Sequence, residues 1–215
     1  MPTLIYFPFG GKAESVRMLL KHAKVDFEDK RVTFEEFGKM KADGSLPNGQ
    51  VPLWVDDAGV THNQTNAIIR ALGIQHGYYP VADAWAAYEV DWVVEVYNEF
   101  WNPKFYSIYF NQNELNEEGI AERVAHFEKM SHQLEKKLAA HGKDFLAGDK
   151  ITIADFLIFS AYQCVVLNAA TSRPTLTAAL TAGIEKTPFI QKWLDRLSED
   201  AALKEWLATR PVAIA

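Results

Sequence analysis

The spacing of apolar and polar positions changes along the chain, because roughly the first 75 residues alternate short apolar runs with turn residues whereas the remainder has long helical periodicity. The β-branched and aromatic run from Thr3 to Phe7 predicts a strand. After Pro8 to Gly11, apolar residues recur at helical spacing from Ala13 to Ala23 and predict a helix. Phe27 to Val32 predicts a second strand, which a helix-length crossover makes parallel to the first.

The following elements complete a small α/β unit. Phe34 to Ala42 is weakly helical, and Val51 to Val55 and Val60 to His62 flank a turn rich in Asp and Gly, which predicts an antiparallel hairpin. Asn63 to Leu72 predicts a closing helix. Its predicted inward residues are Ala67, Ile68, Ala71 and Leu72. The order βαβ-α-ββα is thioredoxin-like, and we assign this domain to residues 1–76.

A second, all-helical domain is predicted for residues 84–215. Gly73, Gly77 and Pro80 interrupt the periodicity, so we expect the first domain to end there and a linker to span 77–83. Thr152 stands three residues before Asp155 and predicts a capping box at the start of a core helix. The predicted helical segments are Trp85 to Phe110, Glu118 to His141, Phe156 to Leu167, Phe189 to Leu197 after Pro188, and Ala201 to Thr209.

Composition and charge exclude several classes of function. The net charge is −6 and the pI is near 5.5, and no Lys/Arg stripe is present, so nucleic acid is not an expected partner. Without a long apolar run or a signal-peptide pattern, we expect a cytoplasmic protein that does not bind membranes. The single cysteine, Cys164, lies in an apolar run and is expected to be buried. The histidine spacing predicts no metal site.

Tyr6 is the first candidate for chemistry, because it stands at the end of the first strand, before a glycine-bearing loop and a helix N-terminus. From the residues alone, a core tyrosine is an equal alternative. The segment Tyr6 to Arg17 resembles the N-terminal signature of tyrosine-type glutathione transferases, closest to the sigma class, with Lys12 in place of the usual arginine. Positions 7 to 13 contain neither Ser nor Cys. The resemblance therefore implies that Tyr6 activates the thiol of glutathione by donating a hydrogen bond.

Two further segments resemble the same family. Asn48 to Pro52 resembles its Gly-Gln-x-Pro motif, which implies a cis Pro52 and a glutathione backbone bound at Val51 and Gln50. Gln64 to Ile68 resembles its Gln-Ser-x-Ala-Ile motif, which implies that Gln64 and Thr65 bind the γ-glutamyl carboxylate. From the residues alone, Pro52 is an edge proline, and Thr65 or Asn63 only caps a helix. Gly148 to Phe156 matches a structural capping segment of the family, and we assign Thr152 and Asp155 to folding.

The resemblance also implies the remaining site residues. Lys12, Phe37 and Lys41 complete the glutathione site, although Phe37 lacks the indole donor usual at its position. Glu99, on the long helix, is expected to reach the partner's glutathione across a dimer. The expected electrophile pocket is formed by Phe9, Trp101, Phe105 and Tyr106, each of which could instead pack in the core.

The expected function is conjugation of glutathione to small hydrophobic electrophiles, as in detoxification, by a homodimer. Glutathione is the co-substrate, and no cofactor or metal is expected. Two alternatives stay open on the sequence. One is a glutathione-dependent isomerase similar to prostaglandin D synthases of the sigma class, and the other is a non-catalytic, ligand-binding or crystallin-like relative.

Overall fold

A computed structural model describes residues 1–101, 107, 115–168 and 171–211 of the chain. It has the predicted thioredoxin-like domain followed by an all-helical domain. The strands are β1 (Thr3–Tyr6), β2 (Glu28–Arg31), β3 (Leu53–Val55) and β4 (Thr61–Asn63), with the helices α1 (Glu14–His22), α2 (Phe34–Ala42) and α3 (Thr65–His76). The strands form one sheet in the order β2-β1-β3-β4, with β2 parallel to β1 and the other pairs antiparallel.

The register of the sheet brings three sequence-distant segments to one edge. Tyr6 ends β1, and Ile5 pairs with Leu53 at the start of β3. Leu53 also pairs with Asn63 at the end of β4. The residues that follow β1, precede β3 and follow β4 are therefore neighbours, and these are the three segments that resemble family motifs.

Helix α3 departs from the prediction in its length and in its buried face. It continues through Gly73 to His76, and a left-handed Gly77, with φ of 83°, ends it. Gly73 allows close packing instead of breaking the helix, because a Cβ there would lie 2.4 Å from Cγ2 of Ile153. The prediction that Ala67 and Ala71 face inward is wrong, since both are exposed. The buried face consists of Thr65, Ile68, Ile69, Leu72 and Gly73.

The prediction for the helical domain is wrong at the end of the first helix, and it omits another helix. The long helix ends at Phe100 instead of Phe110, with Trp101 leaving helical geometry at ψ of 43°. A helix that was not predicted, Pro174–Ile184, lies in a sequence of alternating Thr, Ala and Leu with little contrast between its faces. Within the described ranges, the α-helices of this domain are α4 (Ala84–Phe100), α5 (Glu117–His141), α6 (Ile153–Ala161), α7 (Pro174–Ile184), α8 (Pro188–Glu199) and α9 (Ala201–Thr209).

Helix α6 is the centre of the helical domain, because every one of its residues is buried. The predicted capping box is present, with Asp155 Oδ2 accepting hydrogen bonds from the backbone N–H and the hydroxyl of Thr152. Asp155 Oδ1 accepts from the N–H of Leu146 and from Nε1 of Trp193. This fully buried carboxylate thus ties α6 to α8, as expected for a folding residue. No helix in the described ranges is long and apolar enough to cross a membrane.

A π-helical turn, Tyr162–Val166, follows α6 directly and leads toward the first domain. Its Cys164 is buried, as predicted. Helix α1 packs between α6 and α9. The helical domain therefore packs against the α/β unit next to the loop between β1 and α1.

Candidate active site

A cavity of about 270 Å³ opens at the edge of the sheet where the three motif segments meet. Its lining residues are Phe7, Lys12, Phe37, Asn48, Gln50, Val51, Pro52, Asn63, Gln64 and Thr65. The structure thus brings together most of the side chains predicted to bind glutathione, from segments that are up to 58 positions apart by residue number. A volume of this size suits a small peptide-like ligand.

The Val51–Pro52 peptide bond forms one wall of the cavity and is cis, as the resemblance implies. Pro52 is buried immediately before β3, and Val51 is half-buried beside the opening. An extended ligand segment placed along this wall would continue the sheet as an added strand.

The N-terminal end of α3 forms the opposite wall. Gln64 is its N-cap residue, with φ of 71° and no capping hydrogen bond from its side chain, so the alternative that Thr65 or Asn63 caps this helix is wrong. A positive φ is costly for a residue with a side chain, and such strain is concentrated at functional sites. Thr65 is buried next to it. Because a helix N-terminus favours negative charge, this wall suits a carboxylate.

An amide pair that sequence reasoning did not assign to the site closes one side of the cavity. Asn48 Nδ2 donates a hydrogen bond to Asn63 Oδ1 at 3.1 Å, which joins the loop before Pro52 to the end of β4. Lys41 is exposed and does not line the cavity. Its Cε approaches Gly49, because a Cβ on Gly49 would lie 3.6 Å from it. Lys41 therefore stands just outside this side of the opening.

The Tyr6 side chain is fully buried, and it lies behind the cavity wall instead of lining it. Its hydroxyl accepts a hydrogen bond from the backbone N–H of Lys12 at 3.3 Å, and Lys12 itself lines the cavity. Gly11 is required between them, because a Cβ there would lie 2.6 Å from the hydroxyl and the residue has φ of +49°. Burial lowers the pKa of the Lys12 ammonium.

A cluster of phenylalanines extends from Tyr6 toward the mouth of the cavity. The Phe7 ring contacts those of Phe9, Phe34 and Phe37, with centroids 5.3, 4.8 and 5.1 Å away. The Tyr6 ring meets Phe7 and Phe9 edge-on. Sequence reasoning singled out Phe9 but missed Phe7 and Phe34, although the three aromatic residues at the end of the first strand and directly after it, Tyr6, Phe7 and Phe9, were a visible signal. Phe34 is 55% exposed, so this aromatic wall is accessible.

Among the site residues predicted on the long helix, the two that the structure describes, Glu99 and Trp101, do not line this cavity. Trp101 is buried at the end of α4, against Phe100 and Tyr97. Phe105 and Tyr106 lie outside the described residues. Glu99 is exposed on α4 and accepts from Lys129 at 3.3 Å. It does not line the cavity of its own chain. Within the described part of the chain, no group of three His, Cys, Asp or Glu side chains is arranged to hold a metal ion.

Comparison with known proteins gives concordant results for both halves of the chain. Residues 2–72 match the family model of the glutathione S-transferase N-terminal domain, and residues 98–210 match that of the C-terminal domain. The chain is 30% identical over 211 residues to probable glutathione S-transferase 7 of Caenorhabditis elegans, covering 96% of this chain and 95% of that protein.

Solved structures give the same result. A glutathione S-transferase of Ascaris lumbricoides superimposes with a TM-score of 0.82 at 26% identity, covering 99% of this chain and 98% of that one. Monomeric Na-GST-3 of the hookworm Necator americanus superimposes with a TM-score of 0.83 over 99% of this chain and 98% of that one, but at 24% identity it is similar in fold alone.

Proposed function

The chain belongs to the glutathione S-transferase family and is a glutathione transferase, and from this premise we propose that it is a sigma-like enzyme of the tyrosine type. The observation that carries the proposal is the position of the Tyr6 hydroxyl, held by the N–H of Lys12 directly behind the cavity where Val51, Pro52, Gln64 and Thr65 meet. In this proposal glutathione occupies the cavity, and its sulfur lies beside the loop at Lys12.

Each part of glutathione has a matching wall in the proposed site. The γ-glutamyl carboxylate binds at the N-terminus of α3, where Gln64 and Thr65 add an amide and a hydroxyl. The cysteinyl backbone pairs with Val51 along the cis wall, next to Gln50. The glycyl carboxylate lies toward Phe37 and Lys41, with the half-buried ammonium of Lys12 supplying further positive charge to the site.

Tyr6 acts in this proposal as a hydrogen-bond donor to the sulfur. A free thiol has a pKa of about 8.5, so only a few per cent is thiolate at neutral pH. Lowering that pKa by about two would stabilise the thiolate by about 2.7 kcal/mol. A hydrogen bond to a charged group contributes about 1.5–3 kcal/mol. Because the Lys12 N–H donates to the Tyr6 oxygen, it polarises the O–H and makes it a stronger donor to the sulfur.

The electrophile is expected to lie against the aromatic wall of Phe7, Phe9, Phe34 and Phe37. The thiolate sulfur forms a bond to an electrophilic carbon, and the electron pair of the broken bond leaves with the leaving group or moves onto a conjugated acceptor. A flat apolar electrophile matches stacked and edge-on rings. Such conjugation would serve detoxification in the cytoplasm, where glutathione keeps thiols reduced.

A homodimer is part of the proposal, and an exposed stripe of α4 supports it. Trp85 and Tyr88 are 78% and 52% exposed at one end of the helix, and Glu95 and Glu99 continue the same face. Their rings meet edge-on with centroids 5.8 Å apart and form one contiguous exposed patch, and such patches mark interaction surfaces. A second copy of the chain is the proposed occupant, since Glu99 would then reach the ammonium of the partner's glutathione. Na-GST-3 is described as monomeric, so sedimentation of wild type and Trp85→Glu is needed to test the dimer.

The proposed activity is tested by steady-state conjugation of glutathione to aryl halides, alkenals and isothiocyanates, and by reduction of peroxides at the expense of glutathione, with Tyr6→Phe as the matched control. We expect turnover of at least one flat apolar class and its loss in the control. Turnover that leaves the glutathione concentration unchanged would identify an isomerase instead. Tight glutathione binding without turnover of any substrate would contradict the proposal and favour a binding protein.

A further inference from the structure

A buried carboxylate joins the C-terminal helix to α1. Glu14 is 1% exposed, and its Oε1 accepts from Arg210 Nη1 at 2.7 Å and from Trp206 Nε1 at 2.9 Å. Its Oε2 accepts from Arg17 Nη1 at 3.3 Å. Trp206 lies in α9 and Arg210 directly follows it, so the two donors come from the far end of the chain. A buried charge of this kind is held only because every partner is in place.

The guanidinium of Arg17 in turn holds the loop that follows Tyr6. It is fully buried and lies 5.8 Å from the centroid of the Tyr6 ring. Its Nη1 donates to the carbonyl oxygens of Phe9 at 3.0 Å and Gly10 at 3.4 Å, and its Nη2 donates to that of Phe7 at 3.5 Å. Its Nε donates to Asp29 of β2 at 2.9 Å. One side chain thus fixes three carbonyl groups of the loop that places the Lys12 N–H beside Tyr6.

We propose that Arg210 and Trp206 are positioning residues for the reaction, which act through Glu14 and Arg17 on the loop that carries the Tyr6 site. We call this set of four side chains the C-terminal relay. The proposal deepens the proposed function, because it assumes that Tyr6 activates the thiol. It assigns to the C-terminal helix a role in setting how well the thiolate is stabilised, in addition to its packing.

The geometry indicates how the relay works. Arg17 Nη1 is shared between the Phe9 carbonyl at 3.0 Å and Glu14 at 3.3 Å, and the closer partner of Glu14 is Arg210 at 2.7 Å. Arg210 is therefore the closest positive charge to Glu14, and it weakens the competition of this carboxylate with the loop carbonyls for Arg17 Nη1. Without Arg210, the carboxylate draws Nη1 toward itself, because charge-assisted hydrogen bonds are stronger than those to a neutral carbonyl. The loop at Phe9 and Gly10 then loses its main donor.

Arg210 also contacts the helical domain beneath the loop. Its Nη2 donates to the carbonyl of Gln163 at 3.4 Å, in the π-helical turn. At its other end, α9 is held by its N-cap residue Asp200, whose Oδ2 lies 3.4 Å from His22 Nε2. The other ring nitrogen of His22 is hydrogen-bonded to the Tyr78 hydroxyl at 2.7 Å, so both of its polar contacts lie outside the relay. Removing the His22 ring therefore loosens the other end of α9 and provides a matched control.

The relay is tested in the full-length protein with Arg210→Met, Arg210→Lys and His22→Ala. In Arg210→Met we expect backbone amides of residues 9–13 to exchange hydrogen faster by roughly tenfold, through local opening of the loop. We expect kcat to fall roughly 3- to 30-fold, the pKa governing kcat/KM to rise, and the glutathione KM to change by less than about 3-fold. Arg210→Lys should recover part of each effect. His22→Ala should lower the melting temperature without changing exchange in the loop.

Amide hydrogen exchange of the loop tests the C-terminal relay independently of the proposed function. Should Tyr6→Phe leave the pH profile unchanged, the tyrosine mechanism fails, yet faster exchange at residues 9–13 in Arg210→Met still supports the relay. Equal loop exchange in Arg210→Met, wild type and His22→Ala would overturn it. If Arg210→Met does not fold, Trp206→Phe removes one donor to Glu14 while keeping an aromatic ring. In that variant we expect a smaller increase in the hydrogen exchange of residues 9–13, and an unchanged exchange there would overturn the relay.

Discussion

Gly10, in the loop after Tyr6, lies in direct contact with Cys164 of the helical domain. A Cβ added at Gly10 would lie 2.3 Å from Cys164 Sγ but 3.6 Å from Cys164 Cβ. The backbone of Gly10, with φ of −61° and ψ of −75°, lies in the right-handed region that any residue adopts. The sulfur alone therefore excludes a larger residue at this position.

This contact predicts a compensating pair of substitutions. Gly10→Ala should destabilise the protein by about 1–3 kcal/mol, the usual cost of overpacking, and should also lower kcat because the loop is displaced. Cys164→Ala in the same chain removes the sulfur and should restore most of the stability and activity. Thermal unfolding and steady-state kinetics of both singles and the double variant measure the coupling. Strict additivity of the two single effects would show that the contact is not responsible.

The reactivity of Cys164 gives a pH-dependent prediction. Burial raises the pKa of the Cys164 thiol to about 12 from an ordinary value near 9, because the charged thiolate is excluded from the apolar interior. The native protein should therefore resist alkylation by iodoacetamide at pH 8, and the denatured protein should react readily. Above pH 9 the unfolded chain releases this proton while the folded chain keeps it, so stability falls as pH rises. Cys164→Ala should show a shallower alkaline decline, and an identical decline would contradict the burial effect.

The sequence predicted the order of elements well because each strand and most helices carry a local signal, such as the capping box of Thr152 and Asp155. It failed where a residue acts through a distant neighbour. The glycine at position 73 predicts a helix break, but in the structure Gly73 lies within α3 and allows close packing against Ile153, which is 80 positions away. Helix α7 was missed because its Thr and Ala residues give weak contrast between its faces.

The candidate site shows the same difference between features that have a local sequence signal and features that depend on distant residues. Motif resemblance located seven of the ten residues that line the cavity, since short segments with fixed backbone geometry carry recognisable sequences. The pairing of Glu14 with Arg210, 196 positions apart, has no local signature, and neither does the hydrogen bond between the side-chain amides of Asn48 and Asn63. The depth of Tyr6 behind the loop also depends on packing against Phe7, Phe9 and Gly11, which periodicity does not predict.

Tyr6→Phe tests the proposed thiol activation. The substitution removes one hydroxyl and keeps the ring contacts with Phe7 and Phe9, so the fold should persist. We expect the conjugation rate to fall roughly 10- to 1000-fold, as when a donor to a developing charge is removed, with little change in glutathione affinity. The pKa of the bound thiol, followed by thiolate absorbance against pH, should rise. Wild-type turnover in this variant would reject the tyrosine mechanism.

Gln64→Ala and Thr65→Ala test the wall of the cavity at the N-terminus of α3, which is proposed to bind the γ-glutamyl carboxylate. These side chains contact glutathione equally in the ground and transition states of the proposed site, so their loss should raise the glutathione KM with kcat nearly unchanged. Thr65→Ser keeps the hydroxyl and is the matched control, with a KM close to that of the wild type. A fall in kcat at unchanged KM would assign these residues a role in the chemical step instead.

Glu99 provides the test of a site shared between two subunits. Its carboxylate is exposed and its contact with Lys129 is a surface ion pair, which contributes little stability and is easily exchanged for another partner. If Glu99 binds the glutathione of the partner subunit, Glu99→Ala impairs the site of the other chain. A heterodimer of one Tyr6→Phe subunit and one Glu99→Ala subunit then has one site with both defects and one site with neither.

Mixing the two impaired variants should therefore restore activity, to about half that of the wild-type dimer per heterodimer, because one of its two sites is intact. The variants are refolded together, and heterodimers are isolated through two different affinity tags and verified by mass. Refolding each variant with itself gives the baseline. If Glu99 acted on its own subunit, every site in the heterodimer would carry one defect, and the activity would equal the mean of the two parents. That mean, measured on verified heterodimers, would reject the shared site and leave the α4 stripe as an interface without a catalytic role.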